Sequence, residues 1–99
     1  MAKRNILSQH VKEEIRKRDG GICVYCQNEV GCEVDHVIPL SLNGPNIPQN
    51  IVLSCLPCNR KKRNYLLESF LTIAFLHLLR KGESLDWVAT WKKQNGLQE

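Results

Sequence analysis

Apolar and polar positions alternate along this chain in two different rhythms, and the change of rhythm marks its parts. From Gln9 to Arg18 the spacing is helical: Val11 and Ile15 stand four apart on one side, and Ser8 is placed to cap the start. Gly20-Gly21 predicts the end of that helix. Val34 to Leu40 and Ile51 to Ser54 are short β-prone runs, expected to pair antiparallel. The turn formers Asn43-Gly44-Pro45-Asn46-Ile47-Pro48 lie between them. A short helix is predicted from about Pro57 to Arg63, because the missing N–H of proline is harmless in a first turn. From Leu66 to Leu79 ten of the fourteen side chains are apolar and cover most of the helix circumference, which predicts a helix buried on more than one side. Gly82 closes it, Ser84 is placed to cap a last helix through about Gln94, and Gly96 ends that one. Trp87 and Trp91, four apart, are expected to pack on the long helix.

With 99 residues, the chain has room for one small domain with a modest core, often dependent on a metal or a second copy. Its composition, 42% hydrophobic and 24% charged, argues against disorder. The net charge of +4 is modest. Half of the basic residues fall in two runs, Arg16-Lys17-Arg18 and Arg60-Lys61-Lys62-Arg63. Such runs are ordinarily solvated faces unless a nucleic-acid site lies beside them.

Met1-Ala2-Lys3-Arg4-Asn5 lacks the apolar core of a signal peptide, and no apolar run reaches the roughly 18–20 residues of a membrane span. The expectation is a soluble intracellular protein, in a host cytoplasm if phage-encoded. In a reducing compartment the pairs Cys23/Cys26 and Cys55/Cys58 read as metal ligands, since Cys-x-x-Cys brings two sulfurs to the separation tetrahedral Zn²⁺ requires. Four buried thiols or a redox dithiol are the competing readings. Four thiolates would close the zinc site and make it structural. Cys32 is left over, expected as a small apolar filler.

Between the thiol pairs stands Asp35-His36. An Asp-His dipeptide is commonly an exposed turn or a satisfied core pair. Here Asp35 is also an oxygen ligand suited to Mg²⁺ or Mn²⁺, Asn59 beside a thiolate could supply a second oxygen, and His36 is a base near neutral pH. Together they would serve phosphodiester hydrolysis. In a regular strand the two side chains point to opposite faces, so the backbone must turn out near His36, held by side-chain bonds from Asn50. His10 and His77 read as a surface and a packing histidine, and Tyr25 as a packing residue.

The run Arg18 to Cys26, then Val34-Asp35-His36-Val37-Ile38-Pro39-Leu40, then Asn50 to Lys62 resembles the HNH (ββα-metal, His-Me finger) endonucleases in their four-cysteine zinc form. The resemblance covers about Val11 to Asn64. It implies that His36 is the general base, that Asp35 and Asn59 bind the catalytic cation, that Asn50 orients the catalytic loop, and that the four cysteines bind zinc. Two departures stand out: Arg63 replaces the usual glycine after the basic run, and Gly21 adds a residue before Cys23.

The expectation is one α+β domain over residues 1–99, with a zinc-stapled ββα core at about 22–64 and a helical extension at about 65–96. Its function would be metal-dependent cleavage of DNA, most simply double-stranded, with Arg60, Lys61, Lys62 and Arg63 on phosphates. The alternatives are a zinc-ribbon binding module that does not cut, and a nuclease subunit of a larger restriction, mobile-element or phage machine. A homodimer or partner protein would dock through helix 65–79, and no membrane is involved.

Overall fold

The computed structural model describes residues 7–97, so the leader reading of Met1 to Asn5 lies outside the described residues. Among the described residues the order is α1 (Gln9–Arg18), β1 (Glu33–His36), β2 (Ile51–Ser54), α2 (Leu56–Lys62), α3 (Glu68–Arg80) and α4 (Asp86–Gln94). The class is α+β.

Helix α1 has the expected bounds, and Ser8 Oγ accepts from Val11 N at 3.1 Å. Ile15 is buried, whereas Val11 is only half-covered. The basic residues in its last turn suit the negative end of the helix dipole. Strands β1 and β2 pair antiparallel, with Glu33 opposite Ser54, Asp35 opposite Val52 and His36 opposite Ile51. β1 is shorter than its apolar run, because the chain leaves the ladder after His36. Val37 and Ile38 stay buried, serving the core from a loop.

That loop folds back tightly. Gly44 N donates to Pro39 O at 2.9 Å, and a Cβ on Gly44 would collide with the Ile38 carbonyl. Only glycine fits there. β2 is buried along its whole length, with β1 on one edge. On the other edge Leu53 O accepts from Val24 N and Leu53 N donates to Asp19 Oδ2, each at 2.9 Å.

The core joins Cys23, Val24, Tyr25, Val37, Val52 and Cys55 to Ala74 and Leu78 of α3. Helix α3 departs from expectation. It begins at Glu68, and Ile73, Leu76 and Leu79 are exposed, so the helix is not buried on several sides. A small domain has only one core to offer, and one stripe of α3 fills it. Helix α4 is capped by Leu85 rather than Ser84, whose Oγ accepts from Asp86 N at 3.3 Å. Trp87 meets Phe75 edge-on, with ring centroids 6.1 Å apart. Trp91 is buried and donates from Nε1 to Leu42 O at 2.9 Å, tying α4 to the loop after β1. No helix among the described residues is long and apolar enough to cross a membrane.

Candidate functional site

Two knuckles build the metal centre. In the first, Gln27 takes a positive φ of 59° and its N–H returns to Cys23 O at 3.0 Å, folding Cys23 and Cys26 onto one side. In the second, Cys55 is the N-cap of α2, and Pro57 in the first turn leaves Cys58 facing it. The four Sγ atoms lie within 4.8 Å of one another, and Cys26 Sγ is 3.9 Å from Cys55 Sγ. A tetrahedral ion with bonds of roughly 2.3 Å needs sulfurs about 3.8 Å apart, so the donor set fits a metal ion.

The surroundings prepare the thiols unequally. Burial pushes the Cys23 thiol up, but backbone N–H groups of Cys26, Cys55 and Tyr25 outweigh it and bring it to about 7. Burial and the neighbouring thiols push Cys58 up. Four such sulfurs cannot all ionise together without a cation among them. Cys32 stands apart from this cluster. It is exposed rather than an apolar filler, standing just before β1 and next to the equally exposed Glu33.

Beside the metal centre, β1 presents Asp35 and His36, and the two line one depression of about 170 Å³ with Arg63. The backbone leaves the strand at His36, and buried Asn50 secures the exit. Its Oδ1 accepts from Ile38 N at 2.9 Å, while Nδ2 donates to Ile38 O at 3.0 Å and Pro45 O at 2.9 Å. Its own carbonyl accepts from Val37 N at 2.8 Å. His36 Nε2 stands 3.0 Å from Asn46 Oδ1, within hydrogen-bond reach.

Asp35 is nearly buried, and its Oδ2 accepts from the Tyr25 hydroxyl at 2.7 Å. Burial, then the charge of Asp35, holds the Tyr25 hydroxyl well above its ordinary value, so it remains a donor. The same Oδ2 lies 3.2 Å from Lys62 Nζ, which also donates to His36 O at 2.9 Å. Lys62, expected on phosphates, is instead 1% exposed and turned inward, because its ammonium is held by Asp35 and the His36 carbonyl. Arg60, Lys61 and Arg63 are exposed. Asn59 is half-buried on α2 and does not line the depression that Asp35 and His36 share.

Residues 23–65 match the family model of the HNH endonuclease. The matched segment begins at Cys23, the first of the four clustered thiols, and ends just beyond α2. Residues 11–22, included in the resemblance above, lie outside the match, as do α3 and α4. Both thiol pairs, the Asp35-His36 dipeptide, Asn50, Asn59 and the second basic run fall within the matched segment. No curated protein matches the chain.

Three residues of the site escaped sequence reasoning. Asn46 had only its place in a turn-rich loop as a signal, and Tyr25 read as packing, which its stack on Phe70 at 4.7 Å does satisfy. The inward turn of Lys62 was legible in one respect: it lies four residues after Cys58 and so shares the ligand's face of α2.

Proposed function

We propose that this chain is a metal-dependent endonuclease that hydrolyses phosphodiester bonds in double-stranded DNA. The observation that carries the reading is the shared depression of Asp35 and His36, at a strand exit held by Asn50, inside a segment of HNH type. In this reading the four cysteines hold Zn²⁺, and Asp35 with Asn59 holds Mg²⁺ or Mn²⁺. That cation supplies charge stabilisation for the phosphate and the departing oxygen. His36 takes a proton from the attacking water as its oxygen forms a bond to phosphorus and the bond to the leaving oxygen breaks. Asn50 keeps the loop in the conformation that lets neighbouring residues of a strand face one phosphate. Arg60, Lys61 and Arg63 neutralise backbone phosphates, which favours duplex DNA of any sequence.

Supercoiled plasmid incubated with zinc-loaded protein should be cut with Mg²⁺ or Mn²⁺ and remain intact in EDTA. A preparation that binds DNA yet leaves it intact with every divalent metal would favour a zinc-ribbon binding module instead.

A further inference from the structure

The interior of α2 holds a charge that the proposed chemistry has not used. A buried ammonium is costly unless paired, and Lys62, at 1% exposure, is paired twice. Its Nζ reaches Asp35 Oδ2 at 3.2 Å and His36 O at 2.9 Å. One cation thus bridges the side chain of one site residue and the main chain of the next. Tyr25 donates to the same Oδ2 at 2.7 Å, and its ring is fixed by stacking on Phe70. Both bonds fall on one carboxylate oxygen, which sets the plane of Asp35 and leaves Oδ1 for another ligand.

The place of the second bond is equally specific. The carbonyl of His36 is the last of β1, where the chain departs from the ladder. Asn50 holds the far side of that departure through Ile38, and Lys62 holds the near side. Because Lys62 follows Cys58 by one helical turn, the thiol cluster that anchors α2 also aims this ammonium at β1.

We propose that Lys62, with Tyr25, is the positioning residue of the Asp35–His36 pair: it orients the carboxylate toward the catalytic cation and does not contact DNA. The inference rests on the nuclease reading for the cation's presence at Asp35.

The test compares the parent with Lys62→Met and Tyr25→Phe, all zinc-loaded, by thermal melting, Mn²⁺ affinity from electron paramagnetic resonance, DNA affinity against salt, and cleavage. Loss of a group that holds a metal ligand typically costs 10–100-fold in metal affinity or activity. Lys62→Met should therefore lose about 10–100-fold in Mn²⁺ affinity and in kcat, and Tyr25→Phe about tenfold. DNA affinity and its salt slope should stay at the parent values in both. Parent-like Mn²⁺ affinity and kcat in both variants would overturn the proposal, as would a salt slope lowered by about one unit in Lys62→Met, the mark of a phosphate contact. Should Lys62→Met fail to fold, Tyr25→Phe decides, since it keeps the ring stack. A parent that binds Mn²⁺ but never cuts would end the nuclease reading and leave the Mn²⁺ comparison to judge Lys62. A parent that binds no Mn²⁺ would end both.

Discussion

His77 Nε2 lies 2.7 Å from Asp19 Oδ1, a contact that spans 58 positions and fastens α3 to the end of α1. His77 was expected to do no more than pack. The same carboxylate accepts from Arg18 Nε at 2.8 Å and Nη2 at 3.1 Å, and from Leu53 N at 2.9 Å. Arg18 in turn reaches Glu83 at 3.1 Å and Pro48 O at 3.0 Å. One buried carboxylate thereby joins the helical extension to the edge of β2.

Burial alone would raise the Asp19 carboxyl, but Arg18, His77 and the Leu53 N–H together hold it below its ordinary value. A carboxylate held low in the folded state adds stability that is present above its unfolded value, about 3.9, and disappears as pH falls through the lower folded value. The parent should lose stability in acid below about pH 4, and Asp19→Asn should flatten that slope. Removing the carboxylate altogether, in Asp19→Ala, should cost roughly 3 kcal/mol by breaking the buried pair with Arg18 and leaving the Leu53 N–H without its acceptor. Urea midpoints across acid pH check both.

A metal held by the four thiols should govern folding. Structural zinc contributes roughly 10 kcal/mol or more in small domains, comparable to the 5–15 kcal/mol of a whole native state. Cys23→Ser or Cys58→Ser should lose the metal and much of the cooperative transition, while exposed Cys32→Ser should be within about 0.5 kcal/mol of the parent. Metal content and thermal melting decide it. A cooperatively folded and active Cys23→Ser would rule out the staple.

In the nuclease reading, His36 should separate cutting from binding. Loss of a general base costs about 10²–10⁴-fold in rate. His36→Ala should keep its zinc and its DNA affinity yet cut at a rate lower by that factor. Equal cleavage by parent and variant at matched zinc content would dismiss His36 as the base.

The basic run should divide along its burial. Arg60→Ala and Lys61→Ala should each lower the salt slope of DNA binding by about one unit, with similar losses for unrelated sequences. Unchanged slopes in both would return these side chains to a solvated face.

Arg63 occupies a backbone position that favours glycine, with φ 51° and ψ −136°, on the rim shared with Asp35 and His36. Such conformations cost about 1–3 kcal/mol for a residue with a Cβ. Arg63→Gly should raise the melting temperature and weaken DNA binding together. A melting temperature at or below the parent's would show that the turn carries no strain at Arg63.

Much of this protein was legible from spacing alone. The bounds of α1, the pairing of Val34 to His36 with β2, and the clustering of four thiols all follow from local chemistry: a serine cap, β-branched runs, and two Cys-x-x-Cys units around a turn. Asn50 was legible too, because an Asp-His pair in a strand needs something to hold its exit. What the tertiary structure decided were the partners of charged groups. Four adjacent cations, Arg60 to Arg63, look alike in sequence, yet a helix turns about 100° per residue, and Lys62 is the one of the four that is buried against Asp35. Likewise the apolar run of α3 records that it is greasy without recording how much core is available to cover it. Helical phase and the finite volume of one small core settle both matters, and neither is a property of any residue taken alone.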